Sequence, residues 1–308
     1  MSGFNFQHQA TRFASLVAAL IVSTASADTI QYDLAINSSL EVKSPGQPKP
    51  QPLVATTALR YQVDRQDTTE EVAVNGLEVK ISTDGRSLMN SRMNREGATF
   101  QQGPKDETKI STDQATPALK LLLEQFGKPL AKVTRDPDGG EVSRELLIDK
   151  DSSLVENGVI DNTQLFHVKF PAGQDEWESK IKISMGNGQF AQGVLKYKKN
   201  GSTPEGLLKV DVSGELKAEG KLGLGEINNG KYRVDGQQMY DPARKAWIAG
   251  RLNIDLTLTM EANNQEAGNA TGLMTIVLSI PEAGSSPAPA EAPAEPSAVP
   301  AAAETSTK

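Results

Sequence analysis

Cysteine is absent from this chain of 308 residues. That removes disulfides, thiolate nucleophiles and cysteine-ligated metals together. Histidine is nearly absent, with only His8 and His167. A three-histidine zinc site is therefore excluded. A Gly-x-Ser-x-Gly nucleophile elbow is missing as well, so a serine hydrolase triad has no evident start. Aromatic residues make up only 5% of the chain, too few for stacking bases or sugars, and the net charge of −7 argues against nucleic acid. Long apolar runs are also lacking. The longest, Phe13 to Val22, is about half of the roughly twenty residues that a spanning helix needs.

What is present divides into three stretches. Arg12, the apolar run after it and Ser23-Thr24-Ala25-Ser26-Ala27 have the form of a secretory signal peptide cut after Ala27. Removing residues 1–27 takes away one charge, Arg12, and moves the net from −7 to −8. No cysteine lies at the cut to take a lipid anchor. At the other end, residues 282–308 are Pro, Ala, Glu, Ser and Thr with little to bury, the composition of a disordered tail. Between them, residues 28–281 are read as a single β-rich domain with ample length for a core.

The middle stretch is organised by alternation. In Ala246–Ala262, Ile248, Leu252, Ile254, Leu256, Leu258 and Met260 share one parity, with Gly250 among them. Arg251, Asn253, Asp255, Thr257 and Thr259 share the other. Side chains on a strand alternate between faces, so this is a long strand with one dry face. Thr29–Lys43 repeats the pattern, and similar runs follow around Leu59, Val79, Ile181, Val210, Val234 and Ile276. The apolar parity changes at Gly76, where one extra residue predicts a β-bulge. The Pro-rich stretch Pro45–Pro52 is read as a connection outside the sheet. Leu165–Phe170 reads as another strand, with His167 turned to water beside Lys169.

One helix stands out. Thr116 is a capping residue, Pro117 suits the first helical position, and Gly127 and Pro129 end the segment. Leu119, Leu122, Leu123 and Phe126 fall at i, i+3, i+4 and i+7, an apolar stripe. So short a helix must be docked on something. The predicted fold is mainly β: a large curved antiparallel sheet or unclosed β-barrel, with this short amphipathic helix on its concave side. The stripe is then either ordinary core or the lining of an apolar ligand site.

The remaining polar clusters have plain readings. Asp136-Pro137-Asp138-Gly139-Gly140 fails the spacing of an EF-hand loop and reads as a hairpin turn. Asp175 and Glu176 precede Trp177, but neighbours on a strand face opposite ways, so a carboxylate pair is not formed. Lys196, Lys198 and Lys199 read as solvated side chains at a hairpin tip.

With the leader, long strands, helix and Pro/Ala-rich tail in place, Phe170-Pro171 followed by Gly173-Gln174-Asp175-Glu176-Trp177 resembles the uncharacterised secreted β-sheet proteins of planctomycete-like bacteria. That resemblance implies no activity. The predicted architecture is also similar to that of periplasmic lipoprotein and lipid carriers, an unclosed barrel with a helix inside. The reading is of an exported, periplasmic or extracellular, non-enzymatic binding protein. No catalytic residue, cofactor or metal is assigned, and no transmembrane segment remains after leader cleavage. Its partner is an apolar ligand or an envelope protein, with the alternative of a structural or interaction module whose interior is packed.

Overall fold

The computed structural model describes residues 29–281 apart from 44–48, 67, 137–139, 150–151, 157, 160, 172, 187–188, 223–224 and 263–264. The predicted leader 1–27 and tail 282–308 lie outside the described residues. So do residues 45–48 of the Pro-rich connection and the Asn187-Gly188 turn.

Fourteen strands form one antiparallel sheet. The first wing comprises β1 (Thr29–Lys43), β2 (Gln51–Gln66), β3 (Thr69–Thr83), β4 (Arg86–Asn94), β5 (Gly97–Gln102) and β6 (Thr108–Ser111). After a branch, β7 (Pro129–Arg135) and β8 (Glu141–Leu146), the second wing comprises β9 (Glu176–Gly186), β10 (Gln189–Ser202), β11 (Leu208–Leu222), β12 (Gly225–Asp241), β13 (Ala246–Ala262) and β14 (Gln265–Ser279). Each wing is a meander, and β1 pairs with β14 to join them, Leu34 opposite Leu278 and Ile36 opposite Ile276. The path runs from β6 to β9, and its two ends do not pair, so the sheet is not closed. Pro52 lies inside β2 opposite Glu41, not outside the sheet as its composition implied. It is the second residue of its strand, where a missing N–H costs little.

The dry faces turn inward. On β13, Leu252, Ile254, Leu256 and Leu258 are buried, while Asp255 and Thr257 between them are exposed. Outward positions elsewhere carry Lys217, Lys231, Arg233 and Asp235, all exposed. Glycines allow the bend. A Cβ on Gly193, Gly214, Gly236 or Gly272 would collide with a backbone carbonyl of the adjacent strand. Only a strand without side chains at those points can curl so tightly against its neighbour.

β3 forks where the parity changes. Arg60 pairs with Gly76 and Tyr61 with Val74, leaving Asn75 as the bulged residue. Above the bulge β3 pairs with β4, and below it with β7. The helix docks at this fork. Helix α1 (Pro117–Leu123) is capped by the Thr116 hydroxyl, which accepts from the Leu119 N–H at 3.4 Å. It ends through Gly127, at φ +76°, whose N–H donates to the Val74 carbonyl at 2.8 Å. Leu123 and Phe126 are fully buried there. A second short helix, α2 (Ser153–Glu156), follows β8.

Residues 165–170 are not the strand that their alternation predicts. A 3-10 helix, Asp161–Phe166, leads into a segment that crosses the interior without a ladder. Leu165, Phe166, His167 and Val168 are all buried, so His167 faces the core and not water. Side chains take up the backbone carbonyls: Gln238 donates to Leu165 at 3.0 Å, Arg135 to His167 at 3.3 Å and Trp247 Nε1 to Val168 at 2.8 Å. Those donors lie 32 to 79 residues away, and a six-residue pattern carries no trace of them.

Candidate functional site

The interior has two levels. At the level of the Leu165–Phe170 segment it is filled. Tyr32 stacks on Tyr61 with ring centroids 5.0 Å apart, and His167 meets both edge-on. Phe170 stacks on Tyr240 at 4.0 Å, with Trp177, Tyr197 and Trp247 around them. Gly250 admits the ring of Phe166, to which an added Cβ would come within 2.7 Å. Nearby, Glu70 is buried between Arg65 at 2.9 Å and Arg135 at 2.5 Å. Burial pushes the Tyr32 phenol up to about 12. It holds the His167 imidazole well below its usual range, with the positive charge of Arg135 adding to the effect.

Above this floor the interior is hollow. A cavity of about 520 Å³ is lined by inner-face residues from ten strands, β1 to β4 and β9 to β14. Leu34, Leu59 and Leu77 stand on one wing, and Ile183, Leu216 and Ile254 on the other. Met93 of β4 and Ile183 of β9 line the same space, so the wings curl toward each other around it. Leu122 of α1 covers it together with Leu154, Val159 and Leu165. Met89 lines it and is 36% exposed, which places an opening at β4. The size lies within the range of small-molecule sites, roughly 300–1,000 Å³.

The lining holds no Asp, Glu, Lys, Arg or His. Its polar members are hydroxyls: Ser38, Thr57, Ser91, Ser153 and Tyr232. Ser38 donates to the Ala55 carbonyl at 3.3 Å.

The helix stripe divides on inspection. Leu122 faces the cavity, Leu119 is half-buried against the core, and Leu123 and Phe126 are fully buried in it. Periodicity identifies the buried face of a helix but not which residues within that face meet side chains and which meet empty space. Most of the lining comes from strands, and on β1, β2 and β10 the inner residues shrink along their length. On β10, the inward series from the floor upward is Tyr197, Leu195, Gly193, Ala191. That taper is a signal in the sequence, and alternation alone does not read it.

The other clusters lie away from the cavity. Glu176 is exposed and hydrogen-bonded to Lys198 at 2.5 Å, which lowers its carboxyl below the ordinary range, the reverse of a general acid. Lys196 and Lys199 face Glu178 and Asp175 at 3.8 and 3.7 Å. Among the described residues no group of three acidic or histidine side chains is placed to hold a metal.

No family model matches the chain, and no curated protein matches it. Among solved structures it is similar to Pseudomonas aeruginosa OccK5 (OpdH), at 8% identity over 82% of this chain and 98% of that one, with a TM-score of 0.21. It is similar to an engineered protein of asymmetric conductivity at 7% identity over 82% and 100%, TM-score 0.21. It is also similar to a variant of Rh. blastica porin at 9% identity over 80% and 99%, TM-score 0.19. Likeness at that level reflects long antiparallel strands and carries no argument about a channel. The face pattern is the inverse of a lipid-facing barrel, which is apolar outside and polar within. Here Leu252, Ile254 and Leu256 point in, and Lys231, Arg233 and Asp255 point out. No helix among the described residues is long and apolar enough to cross a membrane. The resemblances to planctomycete secreted proteins and to lipid carriers gain no support from these comparisons.

Proposed function

We propose that the chain is an exported, non-catalytic binding protein that holds an apolar ligand in the hollow of its bent sheet. The observation that carries this reading is the cavity of about 520 Å³ with an uncharged, largely aliphatic lining. Apolar side chains that face an unfilled hollow lack partner atoms on that side, so an occupant that supplies dispersion contacts is stabilised there. Export rests on the leader 1–27, whose Arg12, apolar run and Ala25-Ser26-Ala27 fit a cleaved signal. In this reading Leu122 touches the ligand, while Leu119, Leu123 and Phe126 hold the helix that carries it.

Native mass spectrometry of protein purified without detergent tests the proposal. Adducts of a few hundred daltons that leave on organic extraction are the expected result. A clean apo mass, with no uptake of added lipid-like compounds, contradicts it.

A further inference from the structure

The cavity's hydroxyls narrow the class of its occupant; the inference rests on the binding reading above. Ser91 is 5% exposed and Tyr232 is 4% exposed, and Thr57 is half-buried. All three line the hollow. Among the described residues none of these three hydroxyls makes a hydrogen bond, and none of their oxygens is sealed off from the chamber, so each is open to a guest. A hydroxyl covered by a guest that offers it no partner costs roughly 1–3 kcal/mol, so three of them bear on which guest fits.

The placement is ordered. Thr57 pairs with Val79, and Val79 with Ser91, so the two hydroxyls point inward from one row, two strand spacings apart. That is about 10 Å. Tyr232 stands on β12 in the opposite wing, in the row Leu40, Gly272, Leu256, Tyr232. Hydroxyls therefore face the chamber from two sides, and no charged group does. An ionised carboxylate or phosphate brought inside finds no cation, and its desolvation goes uncompensated. A bare hydrocarbon leaves the hydroxyls unmatched.

We infer that the occupant is an uncharged lipid-like molecule, an apolar body bearing a hydroxyl or ester oxygen that pairs with Ser91, Thr57 or Tyr232. Selectivity of this kind is strong in proteins, because a site built to hydrogen-bond rejects an analogue that lacks the group.

The test is displacement of N-phenyl-naphthylamine fluorescence from the full chain by four compounds of equal chain length: dodecane, dodecanol, methyl dodecanoate and the dodecanoate anion. The alcohol and ester are expected to compete about tenfold better than the alkane and better than the anion. The double variant Thr57→Val, Ser91→Ala should reduce the advantage over the alkane to less than about threefold, and Tyr232→Phe is a second, independent reduction. Thermal unfolding of each variant verifies that it folds. If the alkane competes as well as the ester, or the anion competes best, the class is wrong while the cavity remains a binding site. An undiminished ester advantage in both variants also overturns the assignment. If the probe does not bind and none of the four is taken up, the binding reading itself fails.

Discussion

The filled floor and the hollow above it are built on the same strands, with the same inward alternation. They differ in residue size. At the floor the inward positions hold Tyr32, Tyr61, Tyr197 and Tyr240, and a crossing segment fills what the rings leave. A few residues along β1, β2 and β10, the inward positions hold Ile36, Thr57 and Ala191, while on β12 Tyr232 still lines the hollow. Strand spacing fixes the width of the chamber, so smaller side chains leave it unfilled. The comparison teaches that one sheet can be a packed core at one level and a receptacle at another. The switch is made by side-chain volume on several strands together with the crossing segment, which occupies one level only.

The largest effect expected is at the floor. Phe166→Ala removes a fully buried ring from a tightly packed site and should cost about 3–5 kcal/mol, read as a shift in the denaturant midpoint. A loss under 1 kcal/mol would mean that the floor is as loosely packed as the hollow. Next comes the bend. Gly272→Ala drives a Cβ into the Ser39 carbonyl and should cost about 1–3 kcal/mol, although the residue is neither in a turn nor at positive φ.

The third effect separates the two levels by pH. His167 is buried at the floor with its pKa held well below the usual value, by desolvation first and by Arg135 second. The unfolded chain, with an ordinary histidine near 6.5, then binds more protons than the folded chain at acid pH. Stability should fall as pH drops below about 6.5, by at most about 1.4 kcal/mol per pH unit. His167→Gln should flatten that slope between about pH 5 and 6.5 in equilibrium unfolding, since no other histidine lies among the described residues. The smallest effect is in the hollow. Ala191→Leu adds volume where there is room, so stability should change by less than about 1 kcal/mol. Uptake of an apolar probe should nevertheless weaken. A large destabilisation would show that the chamber is already filled by protein.

Much of this was legible in the sequence. The bounds Thr29–Lys43 and Ala246–Ala262 follow from alternation, and the bulge beside Gly76 from the change of parity. The helix cap at Thr116 follows from local chemistry. These features depend on neighbours in the chain. The crossing segment did not yield to the same reading, because Leu165–Phe170 alternates like a strand yet is anchored by side chains from β7, β12 and β13. The stripe Leu119, Leu122, Leu123 and Phe126 indicated a docked helix correctly in kind, but only Leu122 meets the cavity. The ten-strand lining was hidden because it comes from strand rows, where partner and register are set over the whole sheet.

The most direct test is a crystal of the protein grown with a long-chain ester brominated at its terminal carbon, examined by anomalous scattering at the bromine edge. The account predicts a bromine peak inside the chamber, between Leu77 on one wing and Leu216 on the other. Bromine found only on the outer faces of the strands, with the chamber closed by repacked side chains, would contradict it.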